Sequence, residues 1–204
     1  RHLDLYRAHT FLTDRAFIAR GIGRERIQDA VEITCMARGI TAEQLHAEPT
    51  LMTVINVNSP RRVDKEMIAG LMAMTDYGQP CIVTPFTLAG AMSPVTIAGA
   101  LAQQTAEALA VICLIQLLKP GTPVVFGGFT SNVDMKSGAP AFGTPEYVRS
   151  TIIGGQIARR WGLPYRSSNV NASNCVDAQS THESLMSIWA CIMSHVHFMH
   201  HGLS

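Results

Sequence analysis

Charge is scarce in this sequence. Only 15% of its 204 residues are Asp, Glu, Lys or Arg, and the formal net charge is +1, so nothing electrostatic predicts binding to nucleic acid or to an anionic membrane. Aromatic residues are also few, at 6%, whereas the chain has 10 Met and 16 Gly. This composition is typical of an α/β interior, in which small residues let helices lie close to a sheet.

Signals for disulfides, secretion and membrane insertion are missing as well. The cysteine count is odd and no pair has C-x-x-C spacing, so we expect a reducing compartment and no disulfide framework. No signal peptide is recognisable, and the apolar stretch 108–118 is shorter than the roughly 18–20 residues that span a bilayer. We therefore expect a cytoplasmic protein.

Short apolar runs alternate with segments of helical periodicity. The runs predict strands over residues 51–57, 80–84, 122–126 and 164–168, and the tail HVHFMH could open one more. Capping signals predict helices over 24–38, 64–77 and 144–161 and from Ser93-Pro94 to Lys119. A last helix is predicted from the capping box of Ser180 and Glu183 onward. The first residues of the chain are predicted to be non-helical. Their predicted inner faces include Ala98, Leu101, Thr105, Leu109 and Ile112, and later Leu185, Ile188, Trp189, Ile192 and Met193.

This order of elements predicts an α/β fold of the (β/α)₈ TIM-barrel type. The strands are continuous apolar runs, as expected where helices or a barrel cover them, and no G-x-G-x-x-G or P-loop motif favours a nucleotide-binding sheet. A complete barrel needs roughly 250 residues, so we expect only part of one here. No Pro/Gly/Ser-rich linker divides the chain, and residues 1–204 are predicted to form a single domain.

Four loops that follow the predicted strands are rich in Asn, Ser and Gly but nearly free of paired acid and base. In barrels of this type such loops build the reaction face. Their composition favours hydrogen bonding to a large ligand or to a protein partner over proton transfer, although these residue types are also ordinary in loops. His195, His197, His200 and His201 lack a neighbouring Cys or carboxylate, so we predict no metal site.

At these loops the sequence resembles the trimethylamine methyltransferase family, which are corrinoid-dependent enzymes that include members acting on quaternary amines. The runs that carry the resemblance are RHLD at 1–4, INVNSP at 55–60, TPFTLAGAMSPVT at 84–96, SNVDMKSGAP at 131–140, GTPEY at 143–147 and DAQ at 177–179. The resemblance covers most of residues 50–190 and implies an interior segment of a (β/α)₈ barrel about twice as long as this chain.

The family's activity implies methyl transfer from a methylated amine to a corrinoid (cobalamin) carried by a partner protein. The trimethylamine enzymes have a pyrrolysine just before the D-x-Q pair, where this chain has only standard residues, at 172–177. A quaternary substrate such as a betaine leaves as a neutral amine and does not need that residue. The tail HHGLS at 200–204 also departs from the family pattern.

Positions at the strand ends give the candidate site residues that the resemblance implies. Asn174, Asp177 and Gln179 are the predicted catalytic set. Phe86 and Phe129 are expected to face a cationic methyl group by cation–π attraction, unless they simply pack at the barrel mouth. The remaining candidates for binding substrate or corrinoid are Asn56, Asn58, Asn132 and Asp134.

Two other functions stay open from the sequence. One is a different barrel enzyme, such as an aldolase or lyase; it would require a Schiff-base lysine, and Lys136 is the only lysine in these loops. The other is a non-catalytic interaction module. Because part of a barrel exposes strand edges and apolar helix faces, self-association into a homo-oligomer is a further expectation.

Overall fold

A computed structural model of the chain describes residues 2–202. Within that range the helices are α1 (His2–Leu12), α2 (Arg24–Arg38), α3 (Ala42–Ala47), α4 (Lys65–Asp76), α5 (Ile97–Leu118), α6 (Pro145–Arg160) and α7 (Ala178–Met193). The strands are β1 (Phe17–Ala19), β2 (Leu51–Asn58), β3 (Cys81–Ala89), β4 (Val124–Gly127), β5 (Thr130–Val133), β6 (Pro140–Ala141), β7 (Tyr165–Ser168) and β8 (Phe198–His200).

The strand order confirms the predicted fold class. The main sheet runs β1-β2-β3-β4-β7-β8, and the pairs β1–β2, β4–β7 and β7–β8 are parallel. Each main strand lies beside the next one along the chain, without the reversal of order that marks a doubly wound sheet. The short β5–β6 hairpin pairs with β3 outside this path. The topology is that of part of a (β/α) barrel.

The chain forms two compact units, each made of several segments. The first consists of the described residues up to 56, together with 63–83 and 110–124. Its core contains Ile27, Leu51, Ile55, Leu71 and Met74, all at most 1% exposed. The buried Tyr6 hydroxyl fastens α1 here, because it donates to the Arg26 carbonyl and accepts from the Arg20 amide. Residues His2–Leu12 are helical, whereas a non-helical start was predicted.

The second unit consists of residues 57–62, 84–109 and the described residues from 125 onward. Tyr165 of β7 fills its core, and a Cβ added at Gly128 or at Gly154 of α6 would collide with the Tyr165 ring. Glycine at these two positions thus allows close approach of strand, loop and helix. That residues 1–204 form a single domain stays a prediction.

Most predicted element positions are confirmed, and the helix starts show where local signals mislead. Helix α5 begins at Ile97, not at Ser93-Pro94, and the Thr96 hydroxyl accepts from the Gly99 amide. The capping box of Ser180 and Glu183 is not formed, because Asp177 caps α7 by accepting from the Ser180 amide. Strand β3 extends to Ala89 and so includes residues 85–89, which were predicted to belong to a loop.

Helix α5 buries a stripe shifted from the predicted one. Its buried residues are Ala100, Leu101, Gln104, Glu107, Ala108, Val111, Ile112 and Ile115, whereas Ala98 is exposed and Thr105 and Leu109 are half-buried. Among the described residues, α5 is also the one helix long and apolar enough to cross a membrane by length and composition, a test that core helices pass as well. The stretch judged too short in the sequence is therefore part of a longer apolar helix.

The predicted inner face of α7 is wrong. Leu185, Trp189, Ile192 and Met193 are each more than half exposed, and Ile188 is half-buried. The buried face instead carries Glu183, Ser187, Ala190 and Cys191. Small and polar side chains lie inward because α7 packs closely against β7, where the Cys191 thiol and Ser187 hydroxyl meet backbone carbonyls of Ser168 and Val170.

Candidate functional site

Glu183 organises the loop between β7 and α7, which carries the predicted catalytic residues. Its carboxylate is 8% exposed and accepts from the backbone amides of Ala172 at 2.7 Å and Ser173 at 3.2 Å, and from the Gln179 side chain at 2.8 Å. Burial raises the pKa of Glu183, but these hydrogen bonds outweigh it and hold the pKa below its ordinary value. Sequence reasoning assigned Glu183 to a cap and missed this role.

Asp177 is held at the start of α7. Its carboxylate accepts from the Ser180 amide, the Cys175 thiol and the Ser173 hydroxyl, and these hydrogen bonds lower its pKa. Asn174 lies in the same loop and is exposed. Two of the three predicted catalytic residues, Asp177 and Gln179, therefore have structural partners, and the catalytic roles of all three stay predictions.

Asn132 and Asp134 lie at the β5–β6 hairpin. The Asn132 side-chain oxygen accepts from the Thr144 hydroxyl at 3.0 Å, which ties the hairpin to the start of α6. Asp134 closes the turn by accepting from the Ser137 hydroxyl and from the amides of Lys136 and Ser137, and these hydrogen bonds lower its pKa. Both residues shape the loop whose surface was predicted to bind ligand.

The two asparagines near the end of β2, Asn56 and Asn58, are both exposed. Asn58 pairs through its backbone with Arg62, so that residues 58–62 form a tight loop. The buried Glu107 of α5 holds this loop by accepting from the Ser59 hydroxyl at 2.5 Å and from the Arg61 amide at 2.8 Å. Asn56 belongs to the first unit, whereas the other candidates belong to the second.

The structure brings Phe86 and Phe129 together, and their role in facing a cationic methyl group stays a prediction. Their ring centroids are 5.3 Å apart, and Phe142 lies 6.4 Å from Phe86 and 5.4 Å from Phe129. All three rings are half-buried and form what we call the phenylalanine cluster. Half-buried rings offer an apolar, π-rich surface on which a methylated ammonium group can bind.

Arg166 of β7 lies beside this cluster, and sequence reasoning overlooked it. Its guanidinium carbon is 5.6 Å from the Phe129 ring centroid, so the cation over that ring in this structure is the protein's own. The residue is only 3% exposed, and burial lowers the pKa of Arg166 to about 10. It therefore stays charged at neutral pH in an environment that disfavours charge.

His200 of β8 is the hydrogen-bond partner of Arg166. The distance from Arg166 Nη2 to His200 Nδ1 is 2.6 Å. Because a guanidinium only donates, Nδ1 must accept, and the imidazole is neutral with its proton on Nε2. Burial, the charge of Arg166 and His201 together lower the pKa of His200 to about 4, which agrees with a neutral ring.

The histidine tail opens a strand, as predicted, but β8 begins only at Phe198. His195 and His197 precede β8, so they do not share a strand face, and the ring of His200 stacks on that of His201 at 3.9 Å. Among residues 2–202 no group of three or more His, Cys, Asp or Glu side chains is placed to hold a metal ion.

A separate groove of about 720 Å³ lies between α5 and α6. Its walls are mostly apolar and include Leu101, Ile153 and Ile157, with Arg149 and Arg160 on α6. None of the predicted site residues lines it. It belongs to the helix layer and not to the loops at the strand ends.

Strand order and polar strand-end loops together define a protein of the (β/α)-barrel class. Comparison with known families gives the assignment within that class. The family model described as trimethylamine methyltransferase (MTTB) matches residues 1–203, so the chain belongs to the trimethylamine methyltransferase family. This confirms the resemblance seen in the sequence.

Curated relatives of this chain differ in the substrates that their names give. A glycine betaine methyltransferase of Desulfitobacterium hafniense (strain Y51) is 36% identical over 98% of this chain and 42% of its own length. The trimethylamine methyltransferase MttB1 of Methanosarcina acetivorans is 28% identical over 79% of the chain and 33% of its own length. A proline betaine:corrinoid methyltransferase of Eubacterium limosum is 28% identical over 68% and 29%. The chain thus spans less than half the length of these relatives.

Proposed function

We propose that this chain is part of a methyltransferase that moves a methyl group from a quaternary amine of the betaine type to a corrinoid carried by a partner protein. The observation that carries the proposal is the family match over residues 1–203, together with the 36% identity to a glycine betaine enzyme. The standard residues at 172–177 support a quaternary over a tertiary amine.

The chemistry explains why a quaternary amine suits this chain. The nucleophile comes from the reduced cobalt of the corrinoid, which provides the electron pair for the new bond to the methyl carbon. The carbon–nitrogen bond breaks, and its electron pair stays on nitrogen. A quaternary ammonium therefore leaves as a neutral tertiary amine without a proton, whereas a tertiary amine would leave as an anion unless it were first protonated.

The residues of this chain would bind and position the substrate. The half-buried phenylalanine cluster suits a methylated ammonium, and each favourable cation–π contact is worth about 0.5–2 kcal/mol. The corrinoid would reach this chain as a substrate on its partner, and the exposed amides of Asn174 and Gln179 suit the amide side chains of a corrin ring. Catalysis by this chain would then consist mainly of orientation.

The proposal is tested by incubating the chain with reduced cobalamin and with glycine betaine, proline betaine or trimethylamine, and by following methylcobalamin through its absorbance. We expect transfer from a betaine and none from trimethylamine. Phe86→Leu should lower the transfer rate by roughly 3- to 30-fold, because it removes the π face. Phe11→Leu changes an exposed ring of the first unit and is the matched control. Transfer from no donor, or from trimethylamine alone, would overturn the proposal.

Three further expectations from the sequence remain proposals. They are the cytoplasmic location, the corrinoid-protein partner and self-association. The exposed apolar residues of α7, such as Trp189 and Ile192, support self-association because they leave a hydrophobic surface uncovered. A single species of about 22 kDa in sedimentation, the mass of one chain, would contradict it.

A further inference from the structure

Arg166 is a buried cation whose hydrogen-bonding capacity is largely unused. Among the described residues, its Nε and Nη1 atoms have no hydrogen-bond partner, and Nη2 is joined to His200. Nε carries one hydrogen and Nη1 two, so at least three of the five N–H donors lack an acceptor. Leaving such donors unsatisfied in a buried position is costly, which makes an arrangement of this kind typical of a ligand site.

The position of Arg166 on β7 shows where the missing acceptor belongs. The next residue, Ser167, points to α6, because its hydroxyl lies 3.1 Å from that of Thr151. Side chains alternate along a strand, so Arg166 and Ser168 share the opposite face. The buried hydroxyl of Ser168 also has no partner within residues 2–202. Two unsatisfied polar groups therefore occupy one face of β7, away from the helices.

Within residues 2–202, no Asp or Glu forms an ion pair with Arg166. Besides burial, the groups that act on the Arg166 charge are Tyr147, Tyr165 and Cys191, and burial keeps all three uncharged at neutral pH by raising their pKa values. A guanidinium binds a carboxylate through two parallel N–H···O bonds along one edge. The missing partner is thus an anion of the size and shape of a carboxylate.

We propose that Arg166, with Ser168 beside it, binds the carboxylate of a zwitterionic methyl donor while the phenylalanine cluster binds the methylated ammonium. This inference rests on the proposed function, because the ligand class comes from it. In glycine betaine one methylene joins the ammonium to the carboxylate. The two groups that would bind this ligand must therefore lie close together. They do, because the Arg166 guanidinium lies against the Phe129 ring.

The arrangement also explains how the site discriminates among quaternary amines. A ligand that carries only a positive charge, such as choline, would place that charge near the buried guanidinium and would be repelled. A betaine brings its own carboxylate, which neutralises Arg166 and satisfies its free donors. Specificity then comes from a charge left unpaired by the wrong ligand, which is a strong basis for discrimination.

The test measures binding by equilibrium dialysis, without corrinoid, of radiolabelled glycine betaine and choline. We expect the unmodified chain to bind glycine betaine roughly 100-fold more tightly than choline, and Arg166→Met to remove that preference by weakening betaine binding. Arg160→Met, which changes an exposed arginine of α6, should leave both affinities unchanged. Circular dichroism confirms that each variant is folded.

The outcomes separate this inference from the proposed function. Equal affinity for choline and glycine betaine, or betaine binding that survives Arg166→Met, would mean that water satisfies the guanidinium, and the inference would be overturned. Methyl transfer from glycine betaine that is normal in Arg166→Met would have the same consequence while the proposed function stands. Selective binding that depends on Arg166, without any transfer to cobalamin, would support the carboxylate site and refute the methyltransferase proposal.

Discussion

Replacing Arg166 by Met should make the protein more stable, in contrast to most substitutions of fully buried residues. The charged form of Arg166 is disfavoured by burial, which lowers its pKa from 12.5 to about 10. That change corresponds to about 3 kcal/mol of free energy that folding loses by burying the charge. Met has a similar length and no charge, so it fills the space without that cost.

Two favourable contacts of Arg166 are lost in the variant and reduce the gain. The hydrogen bond to His200 contributes about 1 kcal/mol net, and the contact with the Phe129 ring contributes about 0.5–1 kcal/mol. The expected net effect is therefore a stabilisation of about 1–2 kcal/mol, or roughly 2–8 °C in the midpoint of thermal unfolding. Such a stabilisation would agree with the proposed role of Arg166 in binding a carboxylate, because binding sites commonly trade stability for function.

Urea and thermal unfolding of the chain, followed by circular dichroism, would measure this effect. Arg160→Met is the matched control, and it should change the free energy of unfolding by no more than about 0.5 kcal/mol because Arg160 is exposed. The unfavourable burial is present at every pH below the folded pKa of about 10, so the stabilisation should be constant between pH 6 and 9. Destabilisation by Arg166→Met would refute the reasoning and would show that the guanidinium is satisfied within the fold.

Three further predictions follow from the same site. The pKa of His200 is about 4 in the folded chain against an ordinary 6.5. As the pH falls, the unfolded chain is protonated at this residue before the folded chain is, so the free energy of unfolding should fall by about 1–2 kcal/mol between pH 7 and 5. Urea unfolding of His200→Gln at both pH values should show a smaller fall, and an equal fall would contradict the assignment. Glu183→Gln should lower the free energy of unfolding in urea by about 2 kcal/mol, because Gln has one side-chain oxygen where Glu has two, so its NH₂ group would face an N–H donor of the loop. A change below about 0.5 kcal/mol would argue against the buried carboxylate as the anchor of the loop. Asp177→Ala should lower the thermal midpoint by removing the α7 cap, while Asp177→Asn should keep it. Lost methyl transfer in a stable Asp177→Asn would instead support the predicted catalytic role.

The fold class could be predicted from the sequence, because the alternation of apolar runs with segments of helical periodicity is a local property of the chain. Helix 24–38 was predicted to the residue, since Gly39 ends it in the left-handed conformation that glycine adopts without strain. The start of α5 was misplaced because Ser93-Pro94 is a good local cap, yet Ser93 instead makes a backbone bridge with Ala89 after the longer β3 strand. The backbone pairing of Ser93 with the end of β3 thus prevents it from capping the helix, and this pairing is visible only in the folded structure.

The inner face of α7 was also beyond the reach of the sequence. A stripe of Leu185, Trp189 and Ile192 has helical spacing and would ordinarily mark the core. The small side chains of Ser187 and Ala190 lie inward instead, because close packing against β7 leaves no room for large ones. Periodicity shows that a helix has two faces, and the neighbouring sheet decides which face is buried.

Some features of the candidate site were likewise predictable from the sequence, and others only from the tertiary structure. The sequence determined the family and the polar loops, and it selected Phe86 and Phe129, whose rings the structure brings into contact. The sequence did not indicate that Glu183 anchors the loop between β7 and α7, or that Arg166 is buried beside the phenylalanine cluster. From the sequence alone, a charged residue in a strand is expected to be exposed. The pairing of β7 with β4 and β8 instead places Arg166 on a covered face. Burial and unsatisfied donors are properties of the packed sheet, so only the tertiary structure could identify Arg166.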